Sequence, residues 1–209
     1  MNLSNFLLIE AAIVIAAIPI FYLIQAGNKK SPLFLNSNKE NLSGKTSIKL
    51  PDTRELLKLE KTAKIEGSGI ESDSLLGNWK FLSVWKKDTE GEEYSIFSSL
   101  LRVFSANLEI KKSISIKDFL NFSITASIKF GIMSIEFAGN GYLKGEQPIL
   151  PFFFNLIELK LGSNILLSRS IEEPLEKGKS FFALIATGES DRWLSARGQG
   201  GSLILWLKD

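Results

Sequence analysis

Apolar residues run almost without a break from residue 6 to residue 24, and Glu10 is the one charged residue among them. A run of 19 residues nearly matches the roughly 20 that a helix needs to cross a bilayer. The pattern predicts one N-terminal transmembrane helix within residues 1–26. A cleaved signal peptide is an alternative, although it requires a basic start and an apolar run of about 7–15 residues. A buried core helix is a third interpretation, disfavoured because the run is apolar on every face.

Lysines follow the apolar run, whereas no basic side chain precedes it. By the positive-inside rule, this asymmetry predicts a single-pass protein whose remaining chain faces the cytoplasm. Glu10 fits two interpretations. Either it lies near the interface and snorkels, or it makes a polar contact with a transmembrane helix of a partner complex.

Polar residues dominate the next part of the chain. Residues 27–52 are rich in Asn, Ser, Lys and Gly, which predicts a flexible linker. Residues 53–209 carry regular apolar patterns and form the predicted folded domain. The expected organisation is therefore an anchor, a linker and one domain held near a membrane face.

A short helix is predicted at the start of this domain, over residues 53–66. Its apolar positions recur at helical spacing: Leu56, Leu59 and Ala63. Asp52 or Thr53 supplies a side chain that can cap the helix N-terminus. A Gly-Ser-Gly sequence at 67–69 ends the pattern.

Alternating apolar and polar residues predict strands from about residue 75 onward. The first strand carries large residues in alternation, with a slip of one position at Leu82. The predicted strands cover residues 79–85, 100–112, 122–130, 132–143, 152–161, 165–170, 180–187, 193–197 and 202–208. Turn signals recur along this region, including residues 139–141, 162–164 and 198–201, and the first of them falls within the predicted strand 132–143. The pattern predicts an all-β fold, an antiparallel barrel or sandwich preceded by the short helix.

Composition removes several classes of function. The chain contains no histidine and no cysteine, which excludes Ser-His-Asp and Cys-His catalysis and disfavours an enzyme. Zinc and haem sites lose their usual ligands for the same reason, and we expect no cofactor. With 25 basic and 23 acidic residues, the net charge is too small for a nucleic-acid binder. The acid pairs at 92–93 and 172–173 lie in predicted loops and are interpreted as solvated charges.

Two short motifs lie at the ends of the predicted domain. At the front, Leu75, Gly77 and Trp79 form an L-x-G-x-W sequence. A second set forms a strand, a glycine turn and an apolar strand at the end of the chain: Arg197, Gly198, Gly201, Leu203 and Leu205. In this order the motifs resemble the plastid-lipid-associated protein (fibrillin) family, which opens on L-x-G-x-W and ends on R-G-x-x-G-x-L-x-V-L.

The resemblance implies a lipocalin-like barrel at a photosynthetic membrane, which binds or organises lipids, isoprenoid quinones or carotenoids. An N-terminal anchor in place of a transit peptide would suit a cyanobacterial member, in a thylakoid or plasma membrane. One departure concerns the acidic residue and second arginine that usually precede the final Arg-Gly. Here residues 191–196 displace or lose that pair.

An apolar pocket with a few polar groups is the expected form of a lipid site. The candidate ligand-binding residues are Trp79, Phe81, Tyr142, Trp193 and Arg197. Four arginines can clamp an acidic head group or form ion pairs at the surface: Arg102, Arg169, Arg192 and Arg197. Residues 152–154, three consecutive phenylalanines, fit a buried strand, a pocket lining or a membrane contact.

Two functions follow from these features. The first is a membrane-tethered β-barrel that binds a membrane lipid or isoprenoid ligand. The second is a non-catalytic structural or assembly subunit that docks a membrane protein complex, with Glu10 as a contact.

Overall fold

In the computed structural model, a helix leads into antiparallel strands that occupy most of the remaining chain. The structure describes residues 49–85, 101–102, 104–113, 121–144, 149–175, 178–188 and 190–209. The helix α1 covers Thr53–Glu66. The strands are β1 Gly77–Trp85, β2 Asn107–Lys112, β3 Asn121–Phe130, β4 Met133–Tyr142, β5 Ile149–Leu161, β6 Asn164–Ser170, β7 Ser180–Gly188, β8 Trp193–Gly198 and β9 Leu203–Lys208.

Several predictions fall outside these residues. They concern the transmembrane helix within residues 1–26, the contact of Glu10, most of the linker and the acid pair at 92–93. Within the described ranges, no helix has the length and apolar character needed to span a bilayer.

Helix α1 has the predicted bounds, and its local chemistry explains them. The carboxylate of Asp52 accepts a hydrogen bond from the backbone N–H of Glu55 at 2.8 Å, which caps the first turn. This bond holds the pKa of the Asp52 carboxyl below its usual value. Gly67 ends the helix with a φ of 84°, a conformation that glycine adopts at little cost. Leu56 and Ala63 are buried, as their spacing predicts.

Strand pairing makes the sheet ring-like. The order is β4-β3-β2-β1-β9-β8-β7-β5-β6, and β4 also pairs with β5. The eight strands other than β6 therefore form a closed circuit of antiparallel pairs. Strand β6 extends the sheet as a partner of the far half of β5. The prediction of an antiparallel all-β fold with a leading helix is confirmed at this level.

The predicted slip in β1 is confirmed as an irregularity of register. Phe81 lies opposite Trp206, but Ser83 lies opposite Leu205, so Leu82 is the extra residue. A β-bulge of this kind reverses the alternation of faces along the strand.

One predicted turn is wrong, and two predicted strand starts are displaced by three residues or more. Strand β5 begins at Ile149, not at residue 152. Residues 139–141 are not a turn but lie inside β4, because glycines there allow neighbouring backbone to approach closely. A Cβ on Gly139 would lie 1.9 Å from the carbonyl oxygen of Phe153. The second strand begins at Asn107, not at residue 100. Before it, Leu101 and Arg102 are helical, and Ser105 has a φ of 45°.

Buried side chains form two clusters on opposite faces of the ring. Seven of the eight strands in the ring contribute to the first cluster, so it lies on the inward face; we call it the interior core. Its members are Ile70, Leu75, Trp79, Leu108, Ile110, Phe122, Ile124, Leu150, Phe152, Leu184, Leu194, Ala196 and Trp206. The second cluster lies under helix α1, and we call it the helix-side cluster. It contains Leu56, Trp85, Ile185, Ala186, Trp193, Leu203 and Leu205.

We predict that Gly139→Ala destabilises the protein by about 3 kcal/mol, because the added methyl group would force β4 and β5 apart. Urea unfolding of the two proteins measures the difference. Gly200→Ala is the matched control, since no atom lies within 4 Å of its added Cβ. A stability of Gly139→Ala equal to that of the control would contradict the close approach of the two strands.

Candidate functional site

The large residues of the L-x-G-x-W motif pack together in the interior core. The indole Nε1 of Trp79 donates a hydrogen bond to the carbonyl oxygen of Leu75 at 2.7 Å. Both side chains are fully buried. Gly77 has a φ of 134°, and a Cβ there would lie 2.8 Å from the Lys208 side chain. The positive φ of Gly77 therefore requires glycine between the two large residues of the motif, which pack in the interior core.

Aromatic side chains form a series of contacts inside the sheet, from Trp206 on β9 to Phe137 on β4. Trp206 contacts Phe182 with ring centroids 5.3 Å apart, and Phe182 stacks on Phe152 at 4.8 Å. Phe152 contacts Phe154 at 5.5 Å, and Phe154 contacts Phe137 at 5.6 Å. Four contacts in series thus form a continuous aromatic chain. Such pairs contribute about 0.5–1.5 kcal/mol each beyond their buried area.

Beyond Phe137 the inward face continues as an apolar strip on three neighbouring strands. Directly opposed residues of paired strands share a face. Three rows of three apolar residues are aligned in this way across β3, β4 and β5. The rows are Ala126, Phe137 and Ile157; Ile128, Ile135 and Leu159; and Phe130, Met133 and Leu161. We call these nine residues the apolar strip.

Exposure of the apolar strip increases along the strands, away from the interior core. Phe137 in the first row is buried, and the second row is half-buried. Phe130, Met133 and Leu161 in the last row are exposed. Buried Ile124 lies on β3 two residues before the first row and belongs to the interior core. The strip therefore connects the buried interior with the surface without a polar interruption.

The opposite face of the same strands is polar. The Lys160 ammonium lies 2.6 Å from a carboxylate oxygen of Glu136 and 3.0 Å from one of Glu158. The hydrogen bond to Glu136 and, to a smaller extent, the hydrogen bond to Glu158 raise the pKa of Lys160 above its usual value. Strands β3, β4 and β5 are amphipathic, and their charged side chains lie on the side away from the apolar strip. On β6, Arg169 lies opposite Ile157 and therefore shares the face of the strip.

Arg197 joins helix α1 to the glycine turn after β8. Its guanidinium binds both carboxylate oxygens of Glu60, with Nε 2.6 Å from Oε1. The remaining Nη1 donates to the carbonyl oxygen of Gly201. Burial alone would raise the pKa of Glu60, but hydrogen bonds from Arg197 and Lys64 outweigh burial, so this pKa is lowered. The Arg-Gly-x-x-Gly motif thus has a structural role, since it fixes both the helix and the turn.

The structure separates the predicted ligand-binding residues. Trp79 belongs to the interior core, and half-buried Phe81 packs against that core. Trp193 and Arg197 lie on the helix side of the sheet, because residues two or four apart on a strand share a face. Tyr142 lies at the end of β4, where the Lys179 ammonium is 5.5 Å from its ring centroid.

The other arginines and the acid pair at 172–173 lie at exposed or half-buried positions. Arg169 is exposed on β6, and Arg102 is exposed before β2. Arg192 is half-buried. Glu173 lies 3.0 Å from Lys179, as an exposed carboxylate in an ion pair. Among the residues that the structure describes, no group of His, Cys, Asp or Glu side chains is arranged to hold a metal ion.

The apolar strip is not evident from the sequence alone. Its signal was present as alternation within residues 122–130, 133–142 and 156–161. Alternation shows that a strand has an apolar face, but not which faces of which strands align. Only the register of β3, β4 and β5 places nine such residues side by side.

We predict that Arg197→Met lowers the free energy of unfolding by roughly 2–4 kcal/mol, because Glu60 keeps a buried charge without its main partner. Chemical denaturation measures this change. Lys64→Met is the control, since the Lys64 side chain is 67% exposed and contributes less than about 1 kcal/mol. Equal effects of the two substitutions would contradict the structural role of Arg197.

The difference in stability between the unsubstituted protein and Arg197→Met should depend on pH through the pKa of Glu60. A lowered folded-state pKa contributes stability above the usual value of 4.5, and that contribution is lost as the pH falls. In Arg197→Met, burial instead favours the protonated carboxyl at low pH. We therefore expect the stability gap between the two proteins to narrow as the pH decreases below 4.5. A constant gap from pH 7 to pH 3 would contradict an ionised Glu60 in this ion pair.

Comparisons with known proteins do not assign the chain to a family. No protein-family model matches it, and no curated protein matches its sequence. The resemblance to the fibrillin family therefore rests on the two end motifs, for which the structure provides a local physical role. The function must be argued from the interior core, the aromatic chain and the apolar strip.

Proposed function

We propose that the protein is a membrane-tethered β-protein that binds or organises an apolar lipid. In this proposal the ring is a lipocalin-like barrel whose apolar strip accepts the ligand. The observation that carries it is the uninterrupted passage from exposed Phe130, Met133 and Leu161 to the buried interior.

Energetics favour a lipid on this surface. Half-buried and exposed apolar side chains release about 25 cal/mol per Å² when a ligand removes them from water. The nine residues carry no charge and no hydrogen-bonding side chain, so a hydrocarbon chain can cover them without leaving a polar group unsatisfied. The family resemblance adds isoprenoid quinones and carotenoids as candidate ligands, and it adds a photosynthetic membrane as their location.

The predicted anchor supports a membrane source for the ligand. Residues 6–24 and the lysines that follow them would hold the domain at the cytoplasmic face. An apolar ligand could then pass from the bilayer to the strip without crossing bulk water.

A second candidate is a structural or assembly subunit of a membrane protein complex. It is favoured by the filling of the interior core, where Trp79, Phe122 and Leu150 are fully buried and contribute to packing. In this alternative the apolar strip contacts a protein partner instead of a lipid.

We predict that Ile128→Lys reduces the lipid that co-purifies with the full-length protein severalfold, because a cation would then lie in the centre of the strip. Ser127→Lys is the matched control, since Ser127 is the preceding residue and faces the polar side opposite Glu136. Lipids are extracted after mild detergent purification and quantified by mass spectrometry. Circular dichroism and unfolding confirm that both variants are folded.

Two results would contradict the lipid-binding proposal. One is the absence of a stoichiometric lipid from the unsubstituted protein together with a stable protein complex, which would favour the assembly subunit. The other is an equal lipid content in Ile128→Lys and Ser127→Lys, which would place any lipid elsewhere on the protein.

A further inference from the structure

Two hairpin turns lie side by side beyond the last row of the apolar strip. Gly131 and Ile132 connect Phe130 to Met133, and Gly162 begins the turn between β5 and β6. Both glycines have a φ of 59°, as expected for two-residue hairpin turns with glycine first. The backbone N–H of Gly162 donates to the carbonyl oxygen of Ile132 at 2.6 Å. The turns therefore form one surface, which we call the hairpin tip and define as residues 130–133 and 161–167.

The hairpin tip is apolar where turns are ordinarily polar. Exposed hairpin turns favour Gly, Asn, Asp and Ser, but Ile132 occupies a turn position with 72% of its surface exposed. Phe130 beside it is 54% exposed. Three consecutive residues of β6 are also exposed: Ile165, Leu166 and Leu167. Exposed apolar residues clustered in this way mark an interaction site, although exposed Ser163 and Asn164 lie between Leu161 and Ile165.

Charge around the hairpin tip favours an anionic partner. Residues 129–133 and 159–167 contain no Asp or Glu. Lys129 is exposed next to Phe130, and the carboxylates of Glu136 and Glu158 are both paired with the single Lys160 ammonium. A basic residue at the base of an apolar projection is suited to a lipid headgroup layer above hydrocarbon.

We propose that the hairpin tip inserts into the headgroup and acyl boundary of an anionic bilayer. Leu167 lies opposite Leu159 on the face of the strip, whereas Ile165 lies opposite Lys160 on the other face, with Leu166 as an extra residue between them. Both sides of β6 are therefore apolar here. A second copy paired at one side would leave the other side in water, whereas lipid surrounds a projecting tip completely. Three strand residues extend about 10 Å, which matches the depth of an interfacial insertion.

This inference rests on the proposed function, because the inserted tip would lie at the exposed end of the apolar strip. It names the membrane surface as the partner of that end. A lipid leaving the bilayer at Phe130 and Met133 would meet the strip directly.

The absence of cysteine from the chain allows a clean single-site test. The full-length Ile132→Cys protein is labelled with an environment-sensitive fluorophore and reconstituted into vesicles of neutral lipid with 30% anionic phospholipid (roughly the anionic share that gives an appreciable surface potential). We expect a severalfold rise in emission, a shift to shorter wavelength and quenching by lipids that carry a spin label in the upper acyl chain. Ile65→Cys is the control, since Ile65 is exposed on helix α1 and should remain in water.

Lys129→Gln in the labelled Ile132→Cys protein tests the charge. We expect loss of the difference between anionic and neutral vesicles. An Ile132 probe that stays aqueous would overturn the proposal. Protection that depends on protein concentration, with energy transfer between differently labelled copies and no lipid quenching, would overturn it in favour of a second copy.

The insertion and the proposed function can fail separately. Lipid quenching at Ile132 with no lipid retained by the purified protein would support insertion and contradict lipid binding on the strip. Retained lipid that is lost in Ile128→Lys, with an aqueous Ile132 probe, would support lipid binding and overturn insertion.

Discussion

Pairing of β4 with both β3 and β5 is the constraint on which the inward face of the sheet depends. It closes the circuit of strands and aligns three rows of apolar residues across them. Close approach at Gly139 is part of this constraint, because β5 changes register there and its backbone fills the space of a side chain. Without this pairing, β4 would be an open edge and the apolar strip would lose its third strand.

Helix α1 stabilises the same ring from the opposite face. Leu56 packs in the helix-side cluster, and the Glu60–Arg197 ion pair connects the helix to β8. Because Arg197 on β8 also donates a hydrogen bond to the carbonyl oxygen of Gly201, one side chain connects the helix, the strand and the following turn. Both end motifs of the domain therefore have structural roles. The first packs Leu75 and Trp79 in the interior core, and the second connects helix α1 to β8 through Arg197.

Local signals were sufficient for most of the architecture. Helix α1 followed from a cap, a 3.6-residue period and a glycine, and the irregularity at Leu82 followed from a break in alternation. Residues 139–141 were misinterpreted because Gly-Asn-Gly is a turn signal in isolation, whereas here the glycines serve a contact with β5, distant in sequence. For the same reason the sequence grouped Trp79 with Trp193, although the sheet separates them. Which face a strand residue occupies, and which residues it meets, depends on register between strands.

The proposed binding of an apolar lipid depends on the apolar strip, because the strip joins the aromatic chain to the exposed residues Phe130, Met133 and Leu161. Photo-crosslinking tests this claim most directly. The full-length protein is reconstituted in vesicles that contain an apolar lipid with a photoactivatable chain, irradiated and digested, and the modified peptides are mapped by mass spectrometry. We expect crosslinks on β3, β4 and β5 at strip residues such as Ile135 and Leu159. Crosslinks confined to residues 6–24, with none on these three strands, would contradict lipid binding on the strip.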